Sequence, residues 1–258
     1  MTVLVHMADL HLGTEDVRAM EIASREIKQL NPDAIIVAGD LTQSGKKSEF
    51  ILASEWLSQF LIPKTIVPGN HDTPLINMFS RVVRPFGRFD RLFARHSNLQ
   101  IDDTHIAGLN TARGWQVRSN WAEGSVNSED LNEILDLQKV ADQKLNIIAC
   151  HHPFLPIPHV PMRTRTIRGR KSSEKIAARN GRSLMLYGHV HTPAAHRFEH
   201  GDGHYYGVTC GTLSTRTRNA PPSFNIINIS DAEVEVQAIS IDELKVSSHQ
   251  LIRFSLEP

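Results

Sequence analysis

The chain has 258 residues, of which 40% are hydrophobic and 22% are charged, and its 28 basic residues balance its 28 acidic residues. A chain of this length buries about 75% of its unfolded surface, so it needs no disulfide framework. Its two cysteines fit a reducing compartment. The zero net charge gives no reason to expect a nucleic-acid coat or a membrane-surface protein. The unusual number in the composition is 14 histidines.

The first residues of the chain lack both the basic segment and the long apolar segment of a signal peptide. No apolar run approaches the roughly 18 residues that a membrane span requires. We therefore expect a cytoplasmic protein without a membrane span.

Short apolar runs alternate with helical patterns in the first part of the chain. The predicted strands are 3–7, 34–38, 64–67, 104–109, 145–150, 183–187, 205–209, 223–229 and 234–241, and the predicted helices are 16–30, 47–60 and 128–145. This alternation predicts βαβ units of an α/β fold. In the last quarter the strands follow one another without a helix, which is typical of an added antiparallel sheet. No linker separates the two parts, so we expect a single domain over 1–258.

Polar side chains directly follow five of the predicted strands. The five corners are Asp9-Leu10-His11, Gly39-Asp40, Gly69-Asn70-His71-Asp72, His151-His152-Pro153 and Gly188-His189-Val190-His191. Ligands of open α/β sheets bind beyond the carboxyl ends of the strands. We therefore expect these side chains to converge on one site.

The corners offer two carboxylates, one amide oxygen and four imidazoles as metal ligands, with no thiolate. This set suits Mn, Fe, Zn or Ni rather than a cysteine-type structural zinc. Seven ligands are too many for one four-coordinate ion and suit two ions that share a carboxylate. Two such ions about 3.5–4 Å apart promote displacement at phosphorus, in which a metal-bridging hydroxide attacks in line.

The ordered blocks Asp9-x-His11, Gly39-Asp40, Gly69-Asn70-His71-Asp72, His151-x-Pro153 and Gly188-His189-x-His191 closely resemble the motifs of the calcineurin-like metallophosphoesterases. These blocks run from residue 9 to residue 191. The resemblance implies a four-layer αββα sandwich, in which two mixed β-sheets are flanked by helices.

The resemblance also implies a role for each matching residue. The first metal would be held by Asp9, His11, Asp40 and His191, and the second by Asp40 as the bridge, Asn70, His151 and His189. His71 would contact the phosphoryl oxygens or protonate the leaving alkoxide, and Asp72 would orient it. The cofactors would be two ions of Mn, Fe or Zn.

Other residues are candidates for contact with an anionic substrate. Substrate contacts are predicted for Asn70, His152, Arg113 and Arg216. Residues 163–182 carry eight basic side chains against the single acid Glu174. That segment joins two ligand corners, so it is either a solvated face or a lid. Residues 76–96 mix phenylalanine with arginine and either pack as a helix or cap the site.

The subgroup with the most similar motifs is the bacterial class III cyclic-nucleotide phosphodiesterases. The sequence thus predicts hydrolysis of a small phosphodiester, first of all a cyclic nucleotide. The corner Asp9-Leu10-His11-Leu12-Gly13 also resembles UDP-diacylglucosamine pyrophosphohydrolases and the DNA nucleases of this superfamily. A nuclease favours a basic surplus, which this chain lacks. A non-catalytic metal-binding scaffold is the alternative of another class, although scaffolds typically lose ligands. We expect no stable nucleic-acid partner, and a homodimer stays open.

Overall fold

The computed structural model describes residues 1–75, 78–93, 98–115, 120–141, 143–162, 165–179, 181–218, 220–242 and 245–256. Strands and helices alternate from residue 2 to residue 58. The strands are β1 (Thr2–Met7), β2 (Ala34–Ala38), β3 (Lys64–Val67), β4 (Asn98–Ile101), β5 (Thr104–Gly108), β6 (Gly124–Ser125), β7 (Leu145–Cys150), β8 (Thr166–Ile167), β9 (Ser183–Tyr187), β10 (Ala194–His200), β11 (Gly203–Thr209), β12 (Ser223–Ile229), β13 (Glu233–Ile241) and β14 (Val246–Ser255). The helices are α1 (Val17–Leu30), α2 (Lys47–Ser58), α3 (Met78–Val83), α4 (Ser128–Ala141) and α5 (Gly169–Ala177), with 3₁₀ turns at Asn70–Asp72 and Phe89–Arg91.

Two sheets, each of six described strands, form the centre of the molecule. The first sheet has the order β14-β13-β12-β1-β2-β3, and the second has the order β10-β11-β9-β7-β5-β4. Within the first sheet β1, β2 and β3 are parallel, and within the second β5, β7, β9 and β11 are parallel. The carboxyl ends of each parallel set therefore lie at one edge of its sheet.

Alternating side chains divide the apolar interior into layers, because successive residues of a strand point to opposite faces. Val5 packs in a cluster with α1 and α2, whereas its neighbour Leu4 packs between the two sheets. Ile148 packs with α4 and α5, whereas Ile147 faces the first sheet. Each such fully buried side chain contributes about 1.5–3 kcal/mol to stability. The layers are helix, sheet, sheet and helix, so the predicted αββα sandwich is confirmed.

Local capping sets the bounds of the first helix. The side chain of Asp16 accepts a hydrogen bond from the backbone of Ala19 at 3.0 Å, which satisfies a free N–H of the first turn. Asn31 ends the helix in the left-handed conformation, and Pro32 cannot continue it. The helix predicted over 16–30 therefore begins and ends within one residue of its expected bounds.

Two predicted elements differ from the structure. The helix predicted over 128–145 ends at Ala141, because Leu145 already pairs as the first residue of β7. The final strands do not form a separate sheet: β12 pairs antiparallel with β1, and β13 and β14 extend the same sheet. Among the described residues, no helix is both long and apolar enough to cross a membrane.

Candidate active site

The polar corners follow five parallel strands, and the structure brings their side chains together between the two sheets. Asp9 and His11 follow β1, Asp40 follows β2, Asn70 follows β3, His151 follows β7, and His189 and His191 follow β9. The ligand atoms of Asp9, His11 and His191 lie within 4.8 Å of one another. Those of Asp9, Asp40 and His151 form a second such group. Two further groups, His11 with Asp40 and His71, and His151 with His152 and His189, overlap with these. The four groups divide into a first cluster around Asp9 and a second cluster around His151.

The backbone at these corners is strained. Among the described residues, nine that are not glycine have positive φ, and five of them are Asp9 (54°), His11 (46°), Asp40 (53°), His189 (74°) and His191 (55°). Such conformations cost about 1–3 kcal/mol each and concentrate at functional sites. Cross-strand hydrogen bonds hold them, since the N–H of Asp9 donates to the carbonyl of Gly39 at 2.9 Å. The rest of the fold thus stabilises strain at this site.

The first cluster is arranged around the Oδ1 atom of Asp9. Nε2 of His191 lies 3.1 Å from this oxygen, and Nε2 of His11 lies 3.7 Å from it. Nε2 of His11 also lies 3.8 Å from Oδ2 of Asp40. These side chains are almost fully buried. A single small cation between them would contact all four groups.

The second cluster shares Asp40. Nε2 of His151 lies 3.2 Å from Oδ2 of Asp40 and 3.2 Å from Oδ1 of Asn70. The ring of His189 lies 5.2 Å from the ring of His151, and its backbone N–H donates to Oδ2 of Asp9 at 2.8 Å. Asp40 therefore lies between the two clusters, in the position of a bridging ligand.

Hydrogen bonds on the far side of two imidazoles fix which nitrogen points into the site. Nδ1 of His151 lies 2.8 Å from the carbonyl oxygen of Ala38, and Nδ1 of His191 lies 2.6 Å from that of Arg216. A carbonyl oxygen only accepts, so Nδ1 carries the proton in each ring. When either ring is neutral, the lone pair of its Nε2 atom therefore faces a carboxylate. Lone pairs that face each other at this distance fit a divalent cation between them.

The electrostatics of the site favour the ligand form of most of these groups. Burial opposes ionisation of Asp9, but His191 prevails and lowers the pKa of Asp9 to about 2. Burial lowers the pKa values of His11 and His189 to about 3. His151 differs: burial disfavours its charged form, but Asp40 raises the pKa of His151 to about 9. A proton therefore competes with a cation for His151.

His71 and Arg216 lie next to each other beside the first cluster. Nδ1 of His71 lies 2.7 Å from the carbonyl oxygen of Gln43, and Nη1 of Arg216 donates to Nε2 of His71 at 3.1 Å. The same Nη1 lies 3.1 Å from Oε1 of Gln43. The backbone N–H of His71 donates to Oδ1 of Asp40 at 2.8 Å. An imidazole and a guanidinium thus lie side by side at the edge of the first cluster.

The structure gives Asp72 partners other than His71, the residue that it was predicted to orient. The carboxylate of Asp72 accepts hydrogen bonds from the backbone N–H groups of Gly69, Leu41 and Thr42 at 2.9, 3.2 and 2.9 Å. Burial, together with Asp40, raises the pKa of Asp72 to about 7. Asp72 ties two corners together, and the Gln43 carbonyl orients His71. The sequence signal for Gln43 was its position three residues after Asp40.

His152 packs against His151 and His189, and the three imidazoles offer ligand atoms within 4.8 Å of one another. It is only 1% exposed, and its ring lies 4.7 Å from that of His189. Its Nδ1 lies 2.9 Å from Oγ1 of Thr111, a residue that the sequence analysis did not single out. Arg113 lies farther along the same loop and donates to Oγ of Ser125 at 2.7 Å. His152 therefore faces protein rather than solvent.

The basic segment 163–182 contains β8 and α5, and Arg163 lies outside the described residues. Two of its arginines have acidic neighbours, Arg165 beside Glu123 at 3.7 Å and Arg170 beside Glu174 at 3.4 Å. These ion pairs reduce the free positive charge of the segment. Its function as a lid stays a prediction.

The described residues of the segment 76–96 include both buried and exposed side chains. Residues 76–77 and 94–96 of this segment lie outside the described part of the chain. Phe86 and Phe89 are buried, and the ring of Phe89 packs edge-on to that of Phe50 at 6.4 Å. Phe79 is 76% exposed. Part of the segment therefore belongs to the core, and part of it lies at the surface.

Comparisons with known proteins agree with this geometry. The family model for calcineurin-like phosphoesterases matches residues 2–193. The chain is 26% identical over 186 residues to the glycerophosphodiester phosphodiesterase GpdQ of Enterobacter lignolyticus, a match that covers 69% of this chain and 56% of that protein. It is 27% identical over 210 residues to a probable cyclic nucleotide phosphodiesterase of Pseudoalteromonas, with 76% of this chain and 73% of that protein covered. The chain thus spans little more than half of the first relative.

Solved structures show the same fold at low sequence identity. A dimetal phosphatase from Danio rerio superposes with a TM-score of 0.68 at 10% identity and covers 97% of this chain and 99% of its own. A purple acid phosphatase from yellow lupin also has a TM-score of 0.68, at 11% identity, with 98% of this chain and 53% of that chain covered. The two-sheet architecture is therefore that of the metallophosphoesterases, and this chain belongs to the calcineurin-like phosphoesterase family.

Proposed function

We propose that this protein is a single-domain phosphodiesterase that uses two ions of Mn, Fe or Zn to hydrolyse a small anionic phosphodiester. A cyclic nucleotide is the first substrate to test. The observation that carries the proposal is the convergence of imidazole Nε2 atoms on buried carboxylates, with Asp40 between the two groups. The names of the relatives support a diester, since both describe phosphodiesterases.

The ligand assignment follows the two clusters. Asp9, His11, Asp40 and His191 would hold the first ion, and Asp40, Asn70, His151 and His189 the second. When bound, the two ions would lower the pKa of a water molecule and neutralise charge on the phosphoryl oxygens. Asn70 also lies close enough to this group to contact the substrate.

The remaining chemistry belongs to His71 and Arg216. Nδ1 of His71 donates to the Gln43 carbonyl, so Nε2 is the atom that faces the site. Once Nε2 has also taken up a proton, the imidazolium would donate that proton to the leaving alkoxide and return to the neutral ring. The guanidinium of Arg216 supplies charge-assisted hydrogen bonds to the phosphoryl oxygens. Substrate would compete with His71 for this guanidinium, so binding would release Nε2 for proton transfer.

A glycerophosphodiester is the second candidate substrate, because the GpdQ relative carries that name. A UDP-diacylglucosamine-type pyrophosphate would need an apolar surface near the site, and the exposed Phe79 of α3 is the feature that favours it. A non-catalytic scaffold has the least support, since every predicted ligand is present in the clusters.

The test is a substrate panel with purified, manganese-loaded protein. It covers 3′,5′- and 2′,3′-cyclic nucleotides, glycerophosphodiesters, UDP-diacylglucosamine and single-stranded DNA, with chelator-treated protein as the control. We expect the highest kcat/KM for a cyclic nucleotide. Protein that binds two ions and hydrolyses none of these compounds would contradict the proposal and favour the scaffold.

A further inference from the structure

A cavity of about 620 Å³ lies between α3, the start of α4 and the loop after β5. Its wall includes Val82, Phe86, Arg113, Trp115, Asp130 and Arg168. This volume falls within the range of about 300–1,000 Å³ that small-molecule sites occupy in proteins. The metal chemistry described above uses none of these six side chains.

The cavity adjoins the site through one short piece of chain. Asn110 and Ala112 line it, and Thr111 between them contacts His152 at 2.9 Å. The ring of His152 lies 4.7 Å from that of His189, a proposed metal ligand. Asn110 follows β5, which pairs in parallel with β7, so this wall of the cavity lies at the same edge of the second sheet as His151.

The polar groups of the cavity are fixed in place. Nη2 of Arg113 donates to Oγ of Ser125 at 2.7 Å, and Nη1 of Arg168 donates to the carbonyl of Val126 at 3.3 Å. Ser125 and Val126 are consecutive, and the parallel pairing of β6 with β8 places Arg168, which follows β8, beside them. A guanidinium has five N–H donors, so each arginine keeps donors beyond these contacts. Oδ1 of Asp130 accepts from Nδ2 of Asn127 at 2.9 Å, which leaves its second oxygen as an acceptor.

The apolar part of the wall has a flat aromatic surface. Trp115 is 51% exposed, although a tryptophan side chain is among the most costly to leave in water. Phe86, which also lines the cavity, is buried. An indole of this kind offers a stacking face to a planar ring.

We propose that this cavity binds the nucleobase of the substrate, with the base stacked on Trp115. Arg113 and Arg168 donate to the ring acceptors of the base, and Asp130 accepts from its amino or ring N–H group. A glycerol substituent has no planar face, so the indole would have no ring to stack on and the two guanidiniums would have no ring acceptors to bind. The inference rests on the proposed function, because it names the substituent of the diester that the metal centre would cleave.

The first test measures binding without metal or phosphate. Guanosine is titrated into chelator-treated protein, and quenching of tryptophan fluorescence is followed. We expect quenching by the wild type, none by Trp115→Ala, and unchanged quenching by the control Trp56→Phe, which alters an indole between α1 and α2. Equal quenching by the wild type and Trp115→Ala would overturn the inference.

The second test measures selectivity in manganese-loaded protein. The ratio of kcat/KM for 3′,5′-cyclic GMP to that for glycerophosphoethanolamine should fall by about 5- to 150-fold in Trp115→Ala, the range for loss of one stacked base. Arg168→Met should lower the same ratio, whereas Arg170→Met, at an exposed position two residues away, should not. A ratio that stays constant in Trp115→Ala would refute the base subsite. If the wild type cleaved no diester, the proposed function would fail, while the guanosine titration would still decide the cavity.

Discussion

The two sheets contribute different chemistry to the same site. The first sheet provides both carboxylates and the amide through Asp9, Asp40 and Asn70, together with the imidazole of His11. The second sheet provides imidazoles, those of His151, His189 and His191. One half of the site is therefore anionic, and the other half is a set of nitrogen donors.

This division makes the site depend on how the sheets pack. His151 of the second sheet reaches Asp40 of the first at 3.2 Å, and His191 reaches Asp9 at 3.1 Å. Neither cluster is complete within one sheet. The apolar layer between the sheets, which contains Leu4 and Ile147, therefore positions the ligands as well as stabilising the fold. Metal binding should in turn stabilise the packing of the two sheets.

Replacing the shared carboxylate tests this comparison most severely. Asp40→Ala removes the ligand that contacts imidazoles of both sheets, so bound metal should fall from two ions to fewer than one per chain. Turnover of bis(p-nitrophenyl) phosphate should fall to that of chelator-treated protein. Elemental analysis and a colorimetric assay measure the two effects, and Asp103→Ala, at a 65% exposed aspartate, is the matched control. Retention of both ions would break the bridging assignment.

Replacing His71 separates metal binding from proton transfer. His71→Ala should keep both ions and lower turnover by roughly 10²–10⁴, the range typical of a general acid–base group. The loss should be larger for an alkyl diester than for a nitrophenyl diester, because a poor leaving group needs the proton more. His249→Ala, at an exposed position on β14, controls for the loss of an imidazole. Equal losses for the two diesters would refute the acid role.

Replacing Arg216 tests the predicted contact with the phosphoryl group. A charge-assisted hydrogen bond contributes about 1.5–3 kcal/mol, so Arg216→Met should lower kcat/KM by about 10- to 150-fold. Metal content should fall less than in Asp40→Ala, since Arg216 contacts His191 through its backbone carbonyl and His11 only by Nη1, at 3.3 Å from Nδ1. Arg218→Met makes the same charge change at an exposed position of the same loop. Equal effects of the two variants would indicate a long-range effect of positive charge rather than a contact between Arg216 and the phosphoryl group.

The difference between His11 and His151 predicts how metal affinity depends on pH. His151 has a pKa of about 9, so it is protonated at neutral pH and must lose a proton before it can bind metal. His11 has a pKa of about 3, so its ring is already neutral. Manganese affinity should therefore fall by about tenfold for each pH unit below about 9, for one displaced proton. Calorimetric titrations between about pH 6 and 9 measure this slope. A flat profile would show that no proton competes at His151.

The same raised pKa has a consequence for the metal-free protein. Because the pKa of His151 rises from 6.5 to about 9 on folding, its proton stabilises the fold below pH 6.5. That contribution is lost as the pH rises through about 9. Metal-free protein should therefore unfold at a lower temperature at high pH, and the metal-loaded protein should show this loss to a smaller extent.

Much of the fold could be predicted because it depends on local patterns. The strands 34–38, 64–67, 145–150 and 183–187 were predicted with the bounds that the structure shows, since consecutive apolar residues make up most or half of each. The strands β4, β10 and β14 were not predicted, because their alternating or polar sequences carry little apolar signal. The helix α5 was obscured by the basic run that contains it.

The sequence by itself determined which residues stand at the ends of the strands, and thereby the ligand types and the expectation of two metal ions. Only the tertiary structure decided the partners that orient them. The contact between Arg216 and His71 joins positions 145 residues apart, and that between Thr111 and His152 joins positions 41 apart. The physical reason is that a ligand type is a property of one residue, whereas an orienting hydrogen bond depends on how two sheets and their loops pack.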